Sequence, residues 1–411
     1  MTLGTRTNRN PAPPEHGPSP ADLIARAEAM VPELVRRQAE TESRTYYAED
    51  THRRFAEAGF YRILVPRRYG GLELGVETFL EVTKILARGC PSTAWMYCLG
   101  ATHALPAASL FGEAAQAELF ADGDFICPAT IVPGGSAIRL PDGGWRVSGT
   151  WRYCSGSPYA THFMGHALVP ADDGGPDQTL LFVVPRSRWR RLDDWGDQLG
   201  LRGSGSHGIT VDDALVPDHS AMLGVHVSQV AVERGTPGRT LHGNPEYGGG
   251  PLSYMNMEVA ALAVGMARNA LDIYEEMLRE RTTLLPPIVP RGENPDYQLW
   301  FGDACGMVDT AEAALAGAIR RWQRTCAAGP EAFTREEDLR IAVICRHILR
   351  LCWRAVESNL FPTAGSSSVR GGERLERVWR DMSTMHNHTG LAVFLPTVAV
   401  RDLTKQRLGL E

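Results

Sequence analysis

The sequence predicts an α+β chain in which two helical regions flank a small β-domain, and three observations carry that prediction. Apolar residues recur at helical spacing from Ser19 to about Phe111. From Phe125 the texture changes to short apolar or alternating runs cut by Gly, Pro and Asp. After a Gly/Pro-rich passage at 235–251, long Ala-, Leu- and Arg-rich stretches restore helical spacing. The expected units are a disordered tail at 1–18, an N-terminal helical domain at 19–124, a central β-domain at 125–225 and a C-terminal helical bundle at 226–411.

Taken in order, the Pro-rich, polar tail carries too little apolar surface to offset its ordering entropy. At Ser19-Pro20-Ala21-Asp22 a capping hydroxyl, a proline at the first helical position and an early acid start the first helix. A second helix ends near Gly59, and Val76–Arg88 and Ser92–Phe111 continue the pattern. Strands are expected at Gly144–Trp151, Thr161–Val169, Thr179–Val184 and Gly208–Val211. Long helices are expected near 254–281, 297–327, 335–361 and 373–394, with Thr334-Arg335-Glu336-Glu337 as a capping box for the third.

Composition narrows the function. With 42 basic and 48 acidic side chains the net charge is −6, which offers no basic stripe for nucleic acid. The eight cysteines include no C-x-x-C pair, so neither a zinc site nor a disulfide framework is implied and free buried thiols are expected. No apolar run reaches the roughly 18 residues of a membrane span, and the first twenty residues lack the apolar core of a signal peptide, so a cytoplasmic protein is expected. No G-x-G-x-x-G after a strand and no G-x-x-x-x-G-K occurs, so the usual nucleotide domains are absent. A metal site from Asp381, His386 and His388 is discounted because histidines two apart on a helix diverge.

Five segments carry chemistry. Gly144 to Gly156 is a strand ending in Trp151 and a Cys154-Ser155-Gly156 turn, in which Trp151 could equally be a core aromatic and Ser155 a turn residue. Leu199-Gly200-Leu201-Arg202-Gly203-Ser204-Gly205-Ser206 is a Gly-interrupted loop whose amides could cradle an anion or simply turn the chain. Ala364-Gly365-Ser366-Ser367-Ser368 is a second such run. Pro91-Ser92-Thr93-Ala94-Trp95 opens a helix that carries His103 two turns on, where a core histidine is the plain alternative. Trp379 to Gly390 contains Arg380-Asp381, His386 and His388.

Together these segments resemble the acyl-CoA dehydrogenase fold, and within it the oxygenase components of two-component flavin-dependent monooxygenases of the hydroxyphenylacetate hydroxylase kind. The resemblance runs from about residue 21 to the end. It implies a β-barrel-like domain between a helical domain and a four-helix bundle that also carries oligomerisation, as a homotetramer. It implies reduced FMN or FAD as cofactor, O2 as co-substrate and a separate flavin reductase as partner. The activity implied is hydroxylation of a small organic, aromatic or phenolic substrate through a C4a-hydroperoxide, which must be kept dry and hydrogen-bonded.

Residue by residue, the resemblance places Trp151 and Ser155 against the flavin, and Arg202, Ser204 and Ser206 at the cofactor or a substrate gate. Gly365, Ser366 and Ser367 fall where a neighbouring subunit contacts the flavin phosphate. Trp95, Thr130 and His388 line the substrate pocket, and His103 binds and helps deprotonate a phenol. Catalysis is thus expected from His103, Ser155 and His388, with His386 outside the site. Dehydrogenases of this fold commonly place a Glu-Gly base after the Arg-Asp pair, whereas Thr389-Gly390 stands here. Glu258 and Glu246 are the other carboxylates that could be nominated, without a motif. The alternatives are an N- or S-oxygenase of the same fold, an acyl-CoA dehydrogenase-like desaturase, and a non-catalytic flavin-binding protein.

Overall fold

The computed structural model describes residues 17–171, 174–388, 390 and 395–410. The expected tail at 1–18 therefore lies almost wholly outside the described residues, as do Thr389 and the end of the helix expected to reach 394.

The N-terminal region forms α1 (Pro20–Arg36), α2 (Gln38–Arg44), α3 (Glu49–Ala58), α4 (Gly75–Gly89), α5 (Pro91–Ala101), α6 (Ala104–Leu110) and α7 (Glu113–Leu119). Ser19 and Asp22 cap α1 reciprocally, as the sequence predicts. The helix expected from Ser92 to Phe111 instead breaks after Ala101. Pro106 has no N–H for the Thr102 carbonyl and its ring would strike it; that carbonyl accepts from the Leu105 N–H instead. The break leaves His103 as the N-cap residue of α6.

The centre is one seven-stranded sheet in the order β5-β6-β2-β1-β3-β4-β7. Its strands are β1 (Gly135–Arg139), β2 (Trp145–Trp151), β3 (His162–Val169), β4 (Gln178–Pro185), β5 (Trp189–Arg191), β6 (Ile209–Val216) and β7 (Ala221–Leu223). All pairs are antiparallel except β1 with β3. The sequence missed β1, β5 and β7, two of which are three-residue edges too short to show alternation.

After α8 (Pro237–His242) come α9 (Pro251–Glu280), α10 (Pro295–Ala328) and α11 (Arg335–Arg354). A wide turn at Ala355–Leu360 leads into α12 (Phe361–Thr363), α13 (Arg374–His386) and α14 (Leu395–Leu408). Every α9 residue from Pro251 to Ala267 is buried, because this helix packs on α4, α5, α10, α11 and α13. Thr334 caps α11 through the Glu337 N–H, but the Glu337 carboxylate pairs with Arg321 rather than closing the expected box. Among the described residues the cysteines are free and no helix is long and apolar enough to cross a membrane.

Candidate active site

Beyond β2 the chain turns sharply through Tyr153 (φ 60°) and Gly156 (φ 95°). A Cβ at Gly156 would sit 2.8 Å from the Gly100 Cα, so only glycine lets this turn lie directly on α5. That approach delivers Ser155 to Trp95, whose Nε1 donates to Ser155 Oγ at 3.0 Å. Ser155 Oγ lies 2.7 Å from Ser206 Oγ, and Ser206 Oγ lies 2.7 Å from Ser204 Oγ. All four side chains are buried.

Each hydroxyl has one hydrogen and two lone pairs. If Ser204 donates to Ser206 and Ser206 to Ser155, both lone pairs of Ser155 are filled and its own hydrogen is left to point into the site. The loop supplying Ser204 and Ser206 is clamped from outside: Gly205 N–H donates to the Thr45 carbonyl, and the Ser157 hydroxyl reaches the Gly205 and His207 carbonyls.

The two candidate histidines of the C-terminal segment part company. His386, at the end of α13, stacks on Trp353 at 5.1 Å within the helical bundle. His388 lies past the helix end, where its N–H donates to the Met385 carbonyl, and its ring is 5.9 Å from that of Trp95. Burial pushes the His388 pKa down to about 4.

His103 is held down to about 4 as well, by burial, with the Cys127 and Leu99 backbone opposing weakly. Its Nδ1 has no hydrogen-bond partner among the described residues, nor do the buried hydroxyls of Thr130 and Thr384. Thr130 precedes Ile131, whose Cδ1 would lie 3.3 Å from a Cβ at Gly390, so this segment runs beside the His388 segment.

The second Gly/Ser run does not hydrogen-bond to the Ser155 group within the chain. It sits at the end of α9, where Arg281 donates to the hydroxyls of Ser367 and Ser368, and Arg291 to the Ala364 carbonyl. Among the described residues neither arginine pairs with a carboxylate.

Two of the residues expected at the cofactor have other partners within the chain. Trp151 is a core residue of the sheet, 1% exposed, with Phe163 and Phe182 against its ring and Nε1 given to the His166 carbonyl. Gly134, Gly135 and Gly149 leave the backbone close around its ring. Arg202 turns away from the serines, because the Gln198 carbonyl and the Glu42 carboxylate capture its guanidinium.

Family models for the acyl-CoA dehydrogenase N-terminal domain and C-terminal domain match residues 22–122 and 257–393. The chain belongs to the acyl-CoA dehydrogenase family. It is 28% identical to the oxygenase subunit HsaA, a flavin-dependent monooxygenase of Rhodococcus jostii, over 87% of this chain and 91% of that protein. It is 27% identical to the oxygenase component of an FADH2-dependent resorcinol hydroxylase from a Rhizobium species, over 81% of each. The structure of XiaF from a Streptomyces species with FADH2 and glycerol superposes with a TM-score of 0.85 at 25% identity, covering 95% of this chain and 96% of that one.

For a member of this family the carboxylates matter as much as the serines. Glu246 is fully engaged by the Val76 N–H and Gln323. Glu258 is buried against Thr102, and burial lifts its pKa to about 8, so it is largely a neutral acid at pH 7. Among the described residues no carboxylate hydrogen-bonds to Trp95, Ser155, Ser204 or Ser206. The donor set fits a flavin: linked neutral hydroxyls beside Trp95 at one place, and arginines without a carboxylate partner at another.

Arg281, Arg291 and Asp381 escaped sequence reasoning as site residues. In a chain this rich in arginine a single one carries no signal, and in the sequence Asp381 stands out only as a discounted metal ligand and as part of the Arg380-Asp381 pair.

Proposed function

We propose that this chain is the oxygenase component of a two-component monooxygenase, taking reduced FMN or FAD and O2 and hydroxylating a small aromatic, phenol-like substrate. The observation that carries the reading is the Trp95–Ser155–Ser206–Ser204 chain, set beside a neutral His388, with no carboxylate hydrogen-bonded to it among the described residues. Bound reduced flavin supplies the electrons that activate O2.

The protein's share is positioning and proton handling. Ser155 presents a hydrogen held by the two serines behind it. Trp95 and the surrounding core exclude water. His103, neutral with an unpaired nitrogen, accepts the substrate O–H and takes its proton as negative charge builds on the ring. Arg281 with Ser367, beside Gly365 and Ser366, would hold the flavin phosphate. Leu284, Leu285 and Ile288 are 78%, 78% and 59% exposed on the arm that follows Arg281, a face suited to a second copy of the chain in a tetramer. A separate reductase delivers the reduced flavin.

The test is His103→Asn. Reduced-flavin binding should stay near wild type while product formation falls about a hundredfold, the scale of a lost general base, with the consumed oxygen recovered as hydrogen peroxide. Parallel loss of melting temperature, flavin binding and turnover, with no added peroxide, would mark His103 as a core residue and favour an oxygenase whose substrate needs no base.

A further inference from the structure

We propose that Asp381 is the positioning residue of this site: a single buried carboxylate that ties together the three elements carrying Ser206, Trp95 and His388. The proposal deepens the flavin reading above, but its geometry stands in the flavin-free chain.

Asp381 lies on α13 and is 2% exposed. Its Oδ1 accepts from the Leu201 N–H at 2.5 Å and its Oδ2 from the Ser92 hydroxyl at 3.3 Å. Ser92 opens α5 one turn before Trp95, and Leu201 opens the turn leading to Ser204 and Ser206. His388 follows seven residues after Asp381, just beyond the end of its helix. Each neighbour of the carboxylate is therefore a short covalent step from a different member of the site.

The loop is held at that carboxylate against a conformational preference. Leu201 has φ 54°, a left-handed conformation that residues other than glycine disfavour. Its N–H goes to Asp381 and its carbonyl accepts from Trp195 Nε1 and from the Ser204 N–H. A Cβ at Gly200 would lie 2.1 Å from the Arg380 carbonyl oxygen, so the loop is pressed onto the α13 backbone at this point. Arg380 adds a second strap, donating to the Leu199 carbonyl, while Glu42 and Glu376 hold its guanidinium.

Hydrogen exchange on the flavin-free protein, read together with flavin assays, tests this. In Asp381→Ala, amide exchange across 199–206 should quicken at least tenfold while α9 and α11 keep their protection. With reduced flavin, the variant should release a larger share of consumed oxygen as peroxide. Asp381→Asn, which keeps the shape and one acceptor oxygen, should recover part of both effects and decides the matter if the alanine variant does not fold. Unchanged exchange at 199–206 in either folded variant overturns the proposal. So does a uniform rise across the whole chain with no change in peroxide share, which is what a general core defect would give. If the wild-type protein binds no reduced flavin, the flavin reading fails while the exchange data still decide the role of Asp381.

Discussion

The two Gly/Ser runs of this chain look alike on paper, yet the structure gives them opposite surroundings. Ser204 and Ser206 are buried and bonded to other neutral hydroxyls, with Trp95 at the end of the line. Ser366 and Ser367 are exposed, and the hydroxyl of Ser367 is met by Arg281. The first arrangement suits a hydrogen bond to an uncharged group in a dry site, where polar contacts are strengthened. The second suits an anion. What a Gly/Ser loop does follows from the charge of what it packs against, not from its own composition.

Four measurements can break or sharpen that contrast. The largest effect is expected from Arg281→Met, which should weaken reduced FMN binding about 10- to 100-fold, the range for a charge-assisted hydrogen bond, while leaving reduced riboflavin, which has no phosphate, unaffected. Equal losses for both ligands would remove the phosphate assignment. Ser155→Ala should act the other way round. Both flavins should still bind, but the share of oxygen lost as peroxide should rise several-fold, as expected for a missing hydrogen bond of about 1 kcal/mol. An unchanged peroxide share would take Ser155 out of the site.

Raising salt from about 0.05 M to 0.5 M should weaken FMN binding by a few-fold through screening at the half-buried Arg281, with little change in the peroxide share set by the buried hydroxyls. The smallest effect is assigned to Arg202→Gln, whose guanidinium serves Gln198 and Glu42 and not the serines; flavin binding and peroxide share should stay within about twofold. A large loss there would restore Arg202 to the cofactor.

Acid titration separates the regions by charge as well. His103 and His388 sit near 4 when folded, against about 6.5 when unfolded. Where the unfolded chain binds a proton and the folded chain does not, stability rises with pH. Their contribution is thus fully present above 6.5 and is lost as pH falls toward 4. In His103→Asn the melting temperature should drop less steeply across that window than in the wild type; an identical slope would show that His103 is solvated.

Much of the fold was legible because its causes are local. The Ser19 cap, the apolar spacing of α4 and the Ala- and Leu-rich run of α9 each express a period or a capping geometry within a few residues. The break at Thr102 was legible too, in Pro106, but the apolar run around it concealed the stop. The site was legible in residue type and only partly in placement. Choosing His388 over His386 gave the residue that lies near Trp95, although the physical cause is the end of α13 and not the helical angle used to choose it. The burial of Trp151 against Phe163 and Phe182 was not legible, because a strand aromatic reads the same from either side of a sheet until its partner layer is known.

By itself the sequence determined the order of helices, strands and helices, the absence of the usual nucleotide motifs and the residue types available for chemistry, since these depend on composition and short-range spacing. Only the tertiary structure decided which serines meet, where Arg281 points and that Asp381 joins residues 92 and 201. Those contacts link positions far apart in the chain, and no local period records them; they exist because Gly100, Gly156 and Gly200 let backbones approach more closely than any side chain would allow.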